Sequence, residues 1–151
     1  MTIPLVELRV FAPVQTAVLR QQVRASELSR VVPDFCGRVW KTLRAQGIQG
    51  GRNVAVYLDG AIHLEAGVEV SGQFAEQDGG VRSATPSGRR AVFTHYGPYG
   101  ELGSAHAGVR EWAKKTGHKL TGPNWEVYGH WQEAWNGDPS LIRTDVCYSV
   151  A

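Results

Sequence analysis

Residues 125–131 read Trp-Glu-Val-Tyr-Gly-His-Trp, a run of large aromatic residues around one acid, Glu126. Aromatic and β-branched residues favour β-strands, in which successive side chains point to opposite faces. A regular strand would carry two sets of side chains on its two faces: Glu126, Tyr128 and His130 against Trp125, Val127 and Trp131. Burying a carboxylate among aromatic rings costs free energy unless hydrogen bonds or a cation compensate for it. Glu126 is therefore the strongest functional candidate in the sequence.

Glu126 has two interpretations. In the first, it is a partly exposed strand residue or the partner of an arginine such as Arg143. In the second, it faces a ligand pocket, where a poorly solvated carboxylate attracts delocalised organic cations. The aromatic neighbours favour the pocket.

The size and composition of the chain are those of a soluble globular protein. It has 151 residues, of which 42% are hydrophobic and 20% charged, and a formal net charge of +2. No membrane-spanning run and no N-terminal export signal is visible, so we expect a cytoplasmic protein. Without a basic block, the charge does not favour nucleic-acid binding. The distant Cys36 and Cys147 are expected to be reduced and buried.

The chain repeats one order of predicted elements: strand, helix, strand, strand. Half one (about residues 1–72) has predicted strands at 15–23, 53–58 and 62–70 and a helix at 26–46, after an additional strand at 6–11. Half two (about residues 90–151) has strands at 91–96, 125–131 and 142–150 and a helix at 102–116. A polar linker (about residues 73–89), with one short strand at Val81, joins them within a single domain. The pattern predicts an α+β fold with pseudo-twofold antiparallel sheets, one main helix per half and a central cleft.

The halves align at an offset of about seventy residues, which pairs Trp40 with Trp112, Gly47 with Gly117 and Tyr57 with Tyr128. Both glycines are expected to end the helices, and both tryptophans to pack between helix and sheet. Pro33 is expected in the first turn of its helix, where a missing N–H costs nothing. The repeat also aligns Ala55 with Glu126, so the cleft would hold one acid and suit a single positive charge.

Three segments of half two resemble the GyrI-like domain family in order and spacing. They are His-Tyr-Gly-Pro-Tyr at 95–99, Gly-Pro-Asn-Trp-Glu-Val-Tyr at 122–128 and Leu-Ile-Arg-Thr-Asp-Val at 141–146. That family comprises effector-binding domains of AraC- and MerR-type regulators, stand-alone gyrase-inhibitory proteins and some small-molecule hydrolases. The resemblance implies the duplicated fold and an acid at Glu126 in an aromatic-lined pocket for cationic drugs. A helix-turn-helix has no room beside the domain, so direct DNA binding is not expected.

The predicted ligand-binding residues combine one acid with aromatic and histidine side chains: Glu126, Tyr128, Tyr57, Tyr96, Tyr99, His130 and Trp135. Core packing is the alternative for any single tyrosine, but four tyrosines converging on one acid favour a pocket. Trp135 is predicted to form a lid over the cleft or a dimer contact. Because the histidines lack metal-binding spacing, we expect neither a metal nor a cofactor.

Three functions fit these residues. The first is broad binding of aromatic, cationic small molecules through stacking and one charge. The second, implied by the resemblance, is hydrolysis of electrophilic aromatic natural products of the cyclopropane-ring type. There Glu126 would be a general base, made more basic by apolar surroundings, and Tyr99 or Tyr128 would donate a proton. The third, an interaction with gyrase, is implied by the resemblance alone.

Overall fold

A single antiparallel sheet of eight strands carries two long helices on one of its faces. The computed structural model describes residues 5–151. Its strands are β1 (Glu7–Phe11), β2 (Gln15–Gln22), β3 (Gly50–Tyr57), β4 (His63–Val70), β5 (Val81–Ala84), β6 (Gly88–Tyr96), β7 (Leu120–Tyr128) and β8 (Arg143–Val150). The helices are α1 (Leu28–Gln46) and α2 (Leu102–Thr116). The strand order is β1-β6-β8-β7-β3-β4-β2-β5.

The strand order confirms the predicted α+β duplication. Outward from the centre, β7-β8-β6-β1 on one side mirrors β3-β4-β2-β5 on the other, and the two halves share one continuous sheet. In the central β3–β7 pair, Ala55 lies directly opposite Glu126, and Tyr57 and Tyr128 lie two residues away in opposite directions. The pseudo-twofold axis therefore passes between Ala55 and Glu126.

The helices leave the middle of the sheet open. α1 packs mainly on β4 and β2, whereas α2 packs on β6 and β8. Each helix forms its own core with its half of the sheet, and Tyr128 contacts both cores. Because β3 and β7 lie between these cores, the helix-facing side of their central residues borders a cleft.

Both helices end as predicted. Gly47 and Gly117 adopt left-handed conformations, with φ of 67° and 73°, which residues with a Cβ adopt at a cost. Pro33 departs from the prediction, since α1 begins at Leu28 after a short 3₁₀ turn at Ala25–Glu27. The proline thus lies in the second helical turn, where the carbonyl of Ser29 has no helical N–H donor.

The largest local differences from the predicted elements lie around β7 and the linker. β7 ends at Tyr128, and the chain continues through 3₁₀ turns at Glu133–Asn136 and Pro139–Leu141. The predicted linker contains β5, which begins at Val81 as predicted and pairs with β2, but its end overlaps the start of β6 at Gly88. Within residues 5–151, neither helix combines the length and apolar character needed to cross a membrane.

The face of the sheet away from the helices has a smaller apolar core. Trp125 and Val127 are buried there with Cys147, as the alternation of β7 predicts. The Arg90 guanidinium lies 5.3 Å from the centre of the Trp125 ring. Cys36, on the helix side, is also buried, and neither cysteine forms a disulfide.

Candidate functional site

A cavity of about 1080 Å³ occupies the cleft between the helices. The central strands β3 and β7 form its floor, and α1 and α2 form opposite walls. Its rim includes residues of the β3–β4 loop and the segment that follows β7, with Trp131 among them. Glu126 lies on the floor.

The Glu126 side chain is buried, with 5% of the residue exposed, and three neighbouring side chains contact its carboxylate. Its Oε1 accepts hydrogen bonds from the hydroxyls of Tyr57 at 2.8 Å and Tyr128 at 2.6 Å. Its Oε2 lies 2.7 Å from Nε2 of His106. Arg143, the alternative partner considered from the sequence, instead donates to Asp145 at 3.3 Å.

These contacts decide the protonation of the site. Burial raises the pKa of Glu126, but hydrogen bonds from His106, Tyr128 and Tyr57 outweigh it and hold the pKa below its usual value. Burial and the nearby charge of Glu126 raise the pKa of Tyr57 and Tyr128, so both remain protonated donors. The expectation of a more basic Glu126 is therefore wrong, because donors surround its carboxylate.

The contacts of Glu126 extend toward the cavity mouth through a row that we call the polar chain: Glu126, His106, Tyr148 and Arg110. Nδ1 of His106 lies 2.7 Å from the Tyr148 hydroxyl, which accepts a hydrogen bond from Nη1 of Arg110 at 3.1 Å. When His106 carries its proton on Nε2, every donor in the row points toward Glu126. The polar chain thus links a buried anion to an exposed cation.

Sequence reasoning missed His106, Tyr148 and Arg110. On α2, His106 follows the buried Leu102 by one turn and lies at the edge of the apolar stripe. Tyr148 shares a face of β8 with the buried Val146. The positions of His106 and Tyr148 suit ordinary core packing, and Arg110 is exposed like other helix-surface arginines, so only their contacts in the polar chain distinguish them.

Five of the predicted ligand-binding residues border the cavity: Glu126, Tyr57, Tyr128, Tyr99 and His130. The Tyr99 ring meets the Tyr128 ring edge-on, with centroids 5.6 Å apart. Their contact with a ligand stays a prediction. Their shared location follows from the pairing of β3 with β7 and from the short 3₁₀ turn at Tyr99–Glu101 that leads into α2.

Three aromatic residues depart from their predicted positions. Tyr96 is 61% exposed and does not border the cavity. Trp135 is buried against Trp131, with ring centroids 5.3 Å apart, and does not border the cavity, so it does not form the lid that was one of its two predicted roles; the dimer contact stays a prediction. Trp131 itself borders the cavity and is 53% exposed. The alternation that assigned it to the other face ends with β7 at Tyr128.

The two helical walls correspond at an offset of seventy residues, as their terminal glycines do. Four wall positions of α1 thereby match four of α2, pairing Val32, Pro33, Cys36 and Trp40 with Leu102, Gly103, His106 and Arg110. The predicted equivalence of Trp40 and Trp112 is therefore wrong by two positions. Trp40 donates from Nε1 to Oδ1 of Asn53 at 2.7 Å, whereas Trp112 stacks on His118 outside the cavity.

The site contains no evident metal centre. No group of three or more potential metal ligands occurs in the part of the chain from residue 5 onward. The residues that line it supply the Glu126 carboxylate, the Asp59 carboxylate at the rim, the Arg110 guanidinium, imidazoles, phenol hydroxyls and aromatic rings.

Solved structures share this fold at low sequence identity. The C-terminal domain of EcmrR matches with 18% identity, 99% of both chains and a TM-score of 0.81. In an EcmrR–DNA complex, the match covers 99% of this chain and 58% of that chain, with 18% identity and a TM-score of 0.78. SAV2435 bound to tetraphenylphosphonium matches with 10% identity over 97% and 93% of the two chains and a TM-score of 0.64.

A hydrolase from Listeria innocua also matches, with 10% identity over 97% and 91% of the two chains and a TM-score of 0.61. At these identities the likeness shows the fold alone. No curated protein matches the sequence. The sequence model of the GyrI-like small molecule binding domain matches residues 6–150, and the chain therefore belongs to the GyrI-like family.

Proposed function

We propose that the protein binds aromatic small molecules that carry a positive charge, with Glu126 providing the attraction and the surrounding rings providing the walls. The observation that carries this proposal is a buried carboxylate, contacted by two tyrosine hydroxyls and a histidine, on the floor of a large aromatic cavity. Aromatic faces add cation–π attraction of about 0.5–2 kcal/mol per ring. The ligand would enter between the two helices.

The carboxylate retains its charge in this setting. Tyr57 and Tyr128 donate as neutral phenols, because burial holds their protons. A carboxylate has about four acceptor positions, so three hydrogen bonds leave one open. A nearby cation is attracted without direct contact, since charges interact more strongly in a poorly solvated cavity than in water.

The walls favour breadth of binding over narrow selection. Trp40 and Trp131 both add apolar ring surface to the lining of the cavity. Recognition by stacking and one charge rejects few flat cations, because a wrong ligand leaves few hydrogen bonds unmade. Tetraphenylphosphonium, which is bound to SAV2435 in its structure, is an aromatic cation and supports the same chemistry through likeness of fold.

The test compares a charged and an uncharged ligand. Glu126→Gln should weaken binding of a cationic rhodamine ester about tenfold while changing binding of the neutral dye Nile red much less. Fluorescence titrations measure both affinities. Glu65→Gln is the matched control, since Glu65 is equally buried but faces the other side of the sheet, where it binds Arg20. Equal losses for both dyes in Glu126→Gln would refute the electrostatic proposal.

Hydrolysis is the second candidate. It is favoured by the open acceptor position on Glu126 and by Tyr99, which borders the same cavity. The lowered pKa of Glu126 makes it a weaker base than the sequence suggested. If hydrolysis occurs, turnover of a cyclopropane-bearing aromatic compound should disappear in Glu126→Gln and fall in Tyr99→Phe, as followed by chromatography.

The cytoplasm remains our proposed location. Cys36 and Cys147 are both buried and unpaired, which fits a reducing compartment.

A further inference from the structure

Arg110 brings a second charge to the cavity. Its guanidinium has five N–H donors, and Nη1 donates to the Tyr148 hydroxyl. The residue borders the cavity and is exposed at its mouth. Within residues 5–151, no carboxylate lies within 4.0 Å of this guanidinium, so most of its donors are available.

Two other basic residues on the helices have an acidic partner four residues before them. Arg38 on α1 lies 3.6 Å from Asp34, four residues before it. Lys115 on α2 lies 3.6 Å from Glu111. The residue four before Arg110 is His106, whose ring nitrogens contact Glu126 and Tyr148 instead. The charge of Arg110 thus lacks the carboxylate partner that Arg38 and Lys115 have.

Apart from Asp59 at the rim, whose carboxylate contacts His63 at 2.7 Å, the cavity presents two opposite charges at separate places. Glu126 lies on the floor and Arg110 at the mouth, at the two ends of the polar chain. A ligand with only a positive charge gains from Glu126 and is repelled by Arg110. A ligand that also carries an anionic group gains from both, because guanidinium groups bind carboxylates well.

We infer that the preferred ligand is an aromatic zwitterion, with its cationic centre near Glu126 and a carboxylate or similar anion on Arg110. The apolar wall of α1, with Val32 and Trp40, would receive its rings. This inference rests on the proposed function, since it assumes that the cavity binds aromatic cations. It adds to that proposal an anionic group on the ligand and an orientation, with the cationic centre at the floor of the cavity and the anionic group at its mouth.

Two phosphonium salts of nearly equal size test the inference. The zwitterion 4-carboxybutyl-triphenylphosphonium and the cation pentyl-triphenylphosphonium differ in one terminal carboxylate at neutral pH. Isothermal titration calorimetry should show about fivefold tighter binding of the zwitterion, the size expected for an exposed ion pair. The preference should shrink as salt is added, because exposed charges are screened.

Variants separate the charge of Arg110 from its hydrogen bond to Tyr148. Arg110→Gln should abolish the preference for the zwitterion and leave the pentyl cation bound at least as tightly, whereas Arg110→Lys should retain most of the preference. Arg38→Gln, at a basic residue paired with Asp34 on the other helix, is the control and should change neither affinity. Circular dichroism would verify that each variant is folded.

The outcomes distinguish this inference from the proposed function. Binding of the pentyl cation with no preference for the zwitterion, or a preference that survives in Arg110→Gln, would overturn this inference alone. Failure of wild-type protein to bind either compound would overturn both the inference and the proposed function.

Discussion

Half one and half two build the same scaffold but line the cavity with different chemistry. Each member of the polar chain has a neutral counterpart in half one at the equivalent position. The pairs are Glu126 with Ala55, His106 with Cys36, Tyr148 with Val68, and Arg110 with Trp40. Half two thus contributes the polar wall of the cavity, on α2, and half one contributes the apolar wall, on α1.

The pseudo-twofold axis explains why the floor must differ between the halves. Ala55 and Glu126 lie directly opposite each other beside this axis. A symmetric sequence with acids at both positions would force two buried carboxylates together, and both could not remain ionised. The tyrosines lie farther from the axis, so Tyr57 and Tyr128 can be alike and donate to the same oxygen. The duplication therefore keeps a tyrosine donor in each half but allows an acceptor carboxylate in only one of them.

Ala55→Glu should therefore produce the largest effect, because it makes the floor symmetric. Ala55 is fully buried, so any larger side chain also costs packing energy. We expect a loss of about 3–5 kcal/mol in the free energy of unfolding at pH 7, measured by urea denaturation. The loss should decrease in acid, where one of the two carboxyl groups binds a proton.

Ala55→Gln controls for size, since glutamine and glutamate differ little in shape. It should cost about 1–3 kcal/mol from overpacking and show no comparable change with pH. If the two variants are equally stable at every pH, repulsion between two carboxylates does not determine the residue at position 55, and only the size of the side chain does.

Tyr57→Phe and Tyr128→Phe test the part of the site that the halves share. Each removes one hydroxyl donor from ionised Glu126, which should cost about 1.5–3 kcal/mol at pH 7 by urea denaturation. Tyr96→Phe is the control and should have no measurable effect, because Tyr96 is exposed outside the cavity.

The loss of unfolding free energy caused by each tyrosine variant should become smaller as the pH is lowered. The pKa of Glu126 is lowered by folding, so its ionised form stabilises the protein above the pKa of the unfolded chain. That stability disappears as the pH falls through the pKa of the folded state. A variant that lacks a donor has less of this stability to lose, and its difference from wild type narrows. A cost independent of pH would show that the hydroxyls act through packing.

Much of the fold was predictable from local patterns. Alternating strands, two apolar helical stripes and the glycines that end them repeat in one order, and this order defines the duplicated unit. The same reasoning placed Glu126 beside Tyr128, because residues two apart on a strand share a face. Their pairing with Tyr57 also follows from the repeat.

The rest of the site depends on geometry that residue types do not reveal. Trp40 and Trp112 were matched because both are tryptophan, yet the helices correspond at positions two residues away. The place where β7 ends decides the side on which Trp131 lies, and the aromatic run continues past that point. His106 contacts Glu126 only because α2, packed on β6 and β8, brings this residue of its wall within hydrogen-bond distance of β7.

The smallest predicted difference concerns the two asparagines of the floor. Asn53 and Asn124 occupy equivalent positions, each opposite the tyrosine of the other half, and both border the cavity. Only Asn53 has a recorded side-chain hydrogen bond within the described residues, which it accepts from Trp40 at 2.7 Å. Asn53→Ala should cost about 1 kcal/mol by urea denaturation, and Asn124→Ala less than about 0.5 kcal/mol.

A double-mutant cycle with Trp40→Phe identifies the source of this difference. The phenylalanine keeps an aromatic ring but removes the indole donor, so after this change Asn53→Ala should cost much less. Asn124→Ala should cost the same in either background, since Trp40 does not contact it through a hydrogen bond. If Asn53→Ala keeps its full cost beside Trp40→Phe, packing alone holds Trp40 in place. The apolar wall would then owe its position to α1 and not to the floor that the two halves share.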